Sequence, residues 1–214
     1  MKLTRATFED RYAKGTLRLA FVGMSNIGKS YTAMRLATHY DFDLIEVDKL
    51  IWEELGHSDM EAFAAWQGQP YSEGYAERET QSIALETKAT QKAMRKSGRN
   101  QILDPPGSVI YTGKETLKTL RDNFYVVYIQ ASNEVLERLQ IQYFKQPKPL
   151  IWKDHFVQNS GQSDKEAILS SYPNLLKARA KAYQDLADTH LSSEMILNTD
   201  VSIEAIYEAL KPAI

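Results

Sequence analysis

Residues Gly23 to Ser30 read Gly-Met-Ser-Asn-Ile-Gly-Lys-Ser, a complete G-x-x-x-x-G-K-[ST] loop. It follows the apolar run Leu17-Arg18-Leu19-Ala20-Phe21-Val22 and opens a helix-compatible segment. A strand, this loop and a helix in that order is the setting in which a phosphate-binding loop works. Its glycines let successive backbone N–H groups turn toward one point, where they add to the partial positive charge of the helix N-terminus. From there Lys29 reaches the β- and γ-phosphates of a nucleotide as a mobile charge, and the Ser30 hydroxyl completes the shell of a Mg2+ ion. Nucleotide contacts are therefore expected from Gly23, Met24, Ser25, Asn26, Ile27, Gly28, Lys29, Ser30 and Tyr31.

The rest of the chain continues the alternation. After a helix from Lys29 to about His39, a second strand is predicted at Leu44-Ile45-Glu46-Val47, ending at Asp48. A short helix from Lys49 to Leu55 leads into an irregular stretch, and a long helix spans about Glu73 to Lys96 until Ser97-Gly98 stops it. Gln101-Ile102-Leu103-Asp104 reads as a third strand that Pro105-Pro106-Gly107 ends. A helix from Thr112 precedes the strand Phe124 to Ile129, and Ser132 caps the next helix. Tyr143 to Ser163 loses periodicity and carries Lys145, Lys148 and Lys153, and a loop that long in a compact domain is usually functional or disordered. Helical pattern resumes through Tyr183 to His190, Met195-Ile196-Leu197 is predicted as the last strand, and Ser202 starts a terminal helix. Such alternation calls for a parallel sheet with right-handed crossovers, and ligands then gather at the carboxyl ends of the strands. Gly23, Asp48 and Asp104 each follow a predicted strand at that end and should converge.

Composition narrows the classes. The 214 residues, 43% hydrophobic, suffice for one substantial core. A net charge of −2 argues against an electrostatic nucleic-acid binder. Without cysteine there is no disulfide, thiolate metal site or cysteine nucleophile. No apolar run approaches the roughly 20 residues that span a bilayer. A cytoplasmic protein without membrane insertion is the expectation. The four histidines show no metal-ligand spacing, and Trp52, Trp66 and Trp152 read first as packing residues, with Trp66 or Trp152, in the two predicted mobile regions, the alternative for lining an acceptor pocket.

Together these motifs resemble the shikimate kinase family of small P-loop kinases from about Leu17 onward. Phe42 to Asp48 is similar to the acidic pair after the family's second strand. Leu103-Asp104-Pro105-Pro106-Gly107-Ser108 stands where the family has a strand ending in three glycines. Val126 to Ser132 with Leu136 to Leu139 match its fourth strand and helix, Lys148-Pro149-Leu150 resembles the Arg-Pro-Leu of its lid, and Arg179 with Tyr183 matches its Arg-x-x-x-Tyr. Three places depart: the arginine of the family's Phe-Arg-x-x-Glu pattern falls on Ala76 between Tyr75 and Glu79, with Arg78 near; two of the three glycines are prolines; and the lid arginine is Lys148.

The resemblance implies an α/β, P-loop NTPase fold of three α/β/α layers, with a five-stranded parallel sheet in the order 2-3-1-4-5. Residues 1–16 would form an N-terminal extension and 17–214 one kinase domain, with an acceptor-binding region at about 57–80 and a mobile lid at about 143–163. ATP and Mg2+ are the implied cofactors and a small hydroxylated metabolite the substrate. Lys29, Asp48 and Lys148 are the expected catalytic residues. Asp48, Arg78, Gly107 and Arg179 are the expected acceptor contacts, and Ser30, Glu46 and Asp104 the metal shell. The altered acceptor-side motifs keep two alternatives open: a kinase for another polyol or a nucleoside monophosphate, and a nucleotide-binding regulator that has lost acceptor chemistry and captures a partner through residues 1–16.

Overall fold

The computed structural model describes residues 3–56, 60–145 and 150–213. Strands β1 (Arg18–Val22), β2 (Asp43–Glu46), β3 (Gln101–Asp104), β4 (Tyr125–Gln130) and β5 (Thr189–Ser192) form one parallel sheet in the order β2-β3-β1-β4-β5. Central strands of such sheets are covered on both faces and read as continuous apolar runs. Thus Leu19, Ala20, Phe21 and Val22 on β1, and Val126, Val127 and Ile129 on β4, are fully buried. Helices α1 (Arg5–Ala13), α2 (Lys29–Tyr40), α3 (Val47–Leu55), α4 (Met60–Gln67), α5 (Tyr75–Met94), α6 (Lys114–Asn123), α7 (Asn133–Lys145), α8 (Asp164–Leu186), α9 (Ser193–Leu197) and α10 (Ile203–Leu210) flank it. Among the described residues no helix is long and apolar enough to cross a membrane.

The fifth strand is not where apolar content placed it. Met195, Ile196 and Leu197 lie in α9, because Ser192 accepts the Met195 N–H at 3.1 Å and so ends β5 and starts a helix. The true strand includes His190, expected to be helical. It pairs only with β4, and of its four residues only Leu191 is buried, so an edge strand formed here without an apolar run. Two further boundaries moved. Strand β2 ends at Glu46, and Asp48 stands in the first turn of α3 rather than at the strand's end. The stretch expected to be irregular contains α4, whose Phe63 is buried and stacks on Trp66 at 5.5 Å.

The segment before β1 is folded onto the domain. Phe8 of α1 is fully buried and meets Tyr125 and Tyr207 edge-on, while Tyr12 packs against Tyr40, Phe42 and Tyr207. Backbone bonds continue the attachment: Asn100 donates through its amide N–H to Gly15 and through its side chain to the Tyr12 carbonyl. The apolar face of this helix is thus used inside the protein's own core.

Candidate active site

Between β1 and α2 the phosphate loop has the backbone its glycines make possible. Gly23 has φ +149° and Gly28 φ +98°, and a Cβ on either would come within 2.9 Å of another atom, the Ile129 carbonyl oxygen and the Ile196 Cγ2 respectively. Both conformation and space therefore demand glycine. Gly28 is also the N-cap of α2 and supplies no side-chain cap, which leaves the first N–H groups of the helix for an anion. Ser25, Asn26, Lys29 and Ser30 line a cleft of about 350 Å3, whereas Met24 and Ile27 are buried in the core and the Tyr31 side chain points to solvent. Lys29 is itself buried and donates to the Met24 carbonyl at 3.0 Å.

Asp104, last residue of β3, joins this loop from the neighbouring strand. It is 5% exposed, hydrogen-bonds Ser30, and leaves Oδ1 buried without a partner among the described residues. Burial pushes its carboxyl above the ordinary range, while the Lys29 charge and the Ser30 hydrogen bond pull it back. Among the described residues no three His, Asp or Glu side chains gather into a metal cage. A hydroxyl, one orphaned carboxylate oxygen and an adjacent phosphate site nevertheless fit Mg2+, which keeps several waters and takes few protein ligands. Glu46 sits opposite Asp104 in the β2–β3 register, lines the same cleft, and is paired with the ammonium of Lys49.

The other end of the cleft is built by α3, α5, α8 and the turn after β3. Asp48, Gly107 and Arg179 all line it. The Tyr183 hydroxyl donates to the Gly107 carbonyl, and a Cβ on Gly107 would meet Gly23 O at 3.2 Å, so this glycine packs directly on the phosphate loop. Arg179 is 2% exposed, lies 5.4 Å from the Tyr111 ring centre and donates to the Ile151 carbonyl at 2.9 Å.

Several acceptor-side expectations are corrected. Arg78 does not line the cleft: its guanidinium donates to the carbonyls of Gln67 at 3.0 Å and Glu73 at 2.8 Å, holding the turn between α4 and α5. Tyr75 and Glu79 face elsewhere too. Tyr75 lies 2.6 Å from the Leu150 carbonyl oxygen, and Glu79 accepts the N–H groups of Trp152 at 2.6 Å and Lys153 at 3.0 Å. It is Ser82 and Glu86, about two turns further along α5, that line the cleft. The expected lid is, over residues 150–153, a pinned strap, with Leu150, Ile151 and Trp152 buried and their backbone groups taken by Gln67, Tyr75, Glu79 and Arg179. Lys148 lies outside the described residues. Of the tryptophans, Trp52 lines the cleft, Trp66 borders a separate groove, and Trp152 is enclosed by Tyr143, Phe156 and Tyr172.

Glu86 was missed because nothing local marks it: it is one of several glutamates on a helix that reads as amphipathic. In the structure it is 4% exposed and accepts the Ser108 hydroxyl on Oε2 at 2.6 Å. Burial pushes its carboxyl up to about 8, against the Ser108 hydrogen bond and the charges of Arg179 and Lys29, and with the Asp48 charge raising it further.

A parallel sheet in this order with a phosphate loop after β1 defines a P-loop kinase fold. The shikimate kinase family model matches residues 25–211, and the chain belongs to that family. Among solved structures, shikimate kinase from Bacteroides thetaiotaomicron is similar at 17% identity and TM-score 0.61, over 91% of this chain and 98% of that one. Shikimate kinase from Acinetobacter baumannii in complex with shikimate matches at 19% identity and TM-score 0.60, over 91% and 90%. Shikimate kinase from Aquifex aeolicus matches at 18% and 0.59, over 91% and 96%. At these identities the likeness concerns the fold. No curated protein matches the sequence. Family and fold together support a small-molecule kinase.

Proposed function

We propose that the protein is an ATP- and Mg2+-dependent phosphotransferase that moves the γ-phosphoryl group to a hydroxyl of a small metabolite. The observation that carries this reading is the convergence of Lys29, Ser30, Asp104, Asp48 and Arg179 on one cleft. Loop amides and Lys29 hold the nucleotide phosphates. Ser30 and Asp104 would hold Mg2+, with Glu46 beside them, and the ion would supply neutralisation of negative charge on the phosphates. Asp48 orients the acceptor hydroxyl and takes its proton as the oxygen bonds to the γ-phosphorus; the bond to the bridging oxygen breaks and ADP leaves with that electron pair. Arg179 pairs with an anionic group of the acceptor. Such a reaction asks for positioning and charge stabilisation more than covalent chemistry from the protein. Shikimate, the ligand of the Acinetobacter baumannii structure, is the first acceptor to try.

The test is ADP release from ATP and Mg2+ across shikimate, other hydroxylated acids, polyols and nucleoside monophosphates. Acceptor-dependent release is expected, abolished by Lys29→Ala and lowered about 10²- to 10⁴-fold by Asp48→Asn with nucleotide binding retained. Binding of ATP without release in the presence of any of these acceptors would sink the reading and favour a nucleotide-binding regulator.

A further inference from the structure

The turn after β3 packs on the phosphate loop at its start and on Arg179 at its end. It is a short 3-10 turn over Gly107–Tyr111, entered through Pro105 and Pro106, which bring no N–H groups to anchor it. A Cβ on Gly107 would come within 3.2 Å of the Gly23 carbonyl oxygen and 3.4 Å of the Ser25 amide nitrogen, so the turn's first residue rests directly on the loop backbone. Its last residue, Tyr111, has its ring centre 5.4 Å from the Arg179 guanidinium carbon. Any shift of this turn is therefore felt by the loop that carries Lys29 and Ser30.

One buried group holds the turn from behind. Tyr183 is fully buried and does not line the cleft. Its hydroxyl donates to the Gly107 carbonyl, and its ring is seated against Tyr128 with centres 5.4 Å apart. Arg179 stands four residues earlier on α8, on the same helical face, and its guanidinium is a charged, hydrogen-bonding neighbour of the phenol. Burial raises the phenol above its ordinary range while the Arg179 charge opposes the rise, so the hydroxyl keeps its proton and remains a donor. The chemistry proposed above uses no atom of Tyr183.

We infer that Tyr183 is a positioning residue for the phosphate loop: its hydroxyl fixes Gly107, and Gly107 keeps Gly23 and Ser25 in the backbone arrangement that receives the phosphates of a nucleotide. The inference rests on the proposed function in one respect, that this loop binds a nucleotide. Close-packed groups transmit displacement. Without the hydroxyl the Gly107 carbonyl loses its donor and the turn can move off the loop, so the cost falls on nucleotide affinity although Tyr183 touches no nucleotide atom.

The test is binding of ADP with Mg2+, followed by calorimetry on the full chain and its variants. Tyr183→Phe keeps the ring and removes only the hydroxyl. Tyr12→Phe is the control, since it removes a hydroxyl that donates to the Tyr40 carbonyl at 3.0 Å, and Tyr12 does not line the cleft. Gly107→Ala presses on the same loop contact from the other side. ADP affinity is expected to fall about threefold to tenfold in Tyr183→Phe, the worth of one hydrogen bond, and to fall in Gly107→Ala, while Tyr12→Phe stays within about twofold whatever its melting temperature. The variant carrying both Tyr183→Phe and Gly107→Ala is expected to lose less than the product of the two single losses, because both changes act through one contact. A merely structural role would weaken binding in step with melting temperature, in Tyr12→Phe as in Tyr183→Phe, and give the full product. That pattern, or ADP affinity unchanged in Tyr183→Phe or in Gly107→Ala, would overturn the inference. ADP release from ATP separates it from the kinase reading. The expected binding pattern without acceptor-dependent release removes the kinase and leaves the role of Tyr183 standing, release with parent-like ADP binding in Tyr183→Phe does the reverse, and no ADP binding by the parent overturns both.

Discussion

Arg179 donates to the carbonyl of Ile151 at 2.9 Å, so one guanidinium both lines the cleft and holds the strap at residues 150–153. Lysine keeps the charge but lacks the fork that lets arginine serve two directions. Arg179→Lys is expected to raise KM for the acceptor more than it lowers kcat, and to lower stability by about 1.5–3 kcal/mol, the worth of a hydrogen bond to a charged group. Steady-state kinetics and urea melts of the same preparation check both.

Asp104 hydrogen-bonds Ser30 and leaves Oδ1 buried without a partner among the described residues, which is what supports its place in the proposed metal shell. Asp104→Asn keeps the shape and removes the charge. The Mg2+ concentration giving half-maximal ADP release is expected to rise about 10- to 100-fold, as when groups supporting a metal are altered. An unchanged Mg2+ titration would take Asp104 out of the metal shell.

Glu86 makes stability depend on pH. Its carboxyl stands at about 8 in the folded chain against an ordinary 4.5, so between those values the native state keeps a proton that the unfolded chain has released. Its contribution is fully present below pH about 4.5 and is lost as pH rises through about 8. Glu86→Gln lacks this loss. The melting temperature of the variant minus that of the parent is expected to be larger at pH 8.5 than at pH 5, and a constant difference would refute the raised value.

Phe8 is the anchor of α1, fully buried between Tyr125 and Tyr207. Phe8→Ala is expected to destabilise the whole domain by about 3–5 kcal/mol, as truncation of a core aromatic does. Met34, half exposed on α2, is the control, and Met34→Ala is expected to stay within about 0.5 kcal/mol. Denaturant melts decide between them, and a small effect at Phe8 would mean that α1 is only loosely attached.

Local chemistry made much of this legible. The phosphate loop could be read from spacing alone because its function is a property of eight consecutive residues and the backbone they permit. The central strands were legible because burial on both faces leaves continuous apolar runs. The last strand was not, since an edge strand with one buried side chain carries little apolar signal and Ser192 acts as the cap of α9. On α5 the resemblance set its acceptor pattern at Tyr75 to Glu79, whereas Ser82 and Glu86 face the cleft. Two turns along a helix leave the pattern of side chains similar while moving each residue about 10 Å along the axis.

By itself the sequence determined the parallel α/β sheet, the phosphate loop, and the carboxylates that gather beside it, since each follows from short-range pattern and from the end of the strand where it falls. Only the tertiary structure decided what lines the end of the cleft away from the phosphate loop. Glu86, Trp52, Ser108 and Arg179 come from separate elements, and whether a polar atom there finds a partner depends on every group packed around it. Arg78 shows the same rule from the other side. A cation near the right place in the chain was drawn away by two backbone carbonyls, while a glutamate with no local signature lines the cleft with one oxygen that has no partner among the described residues.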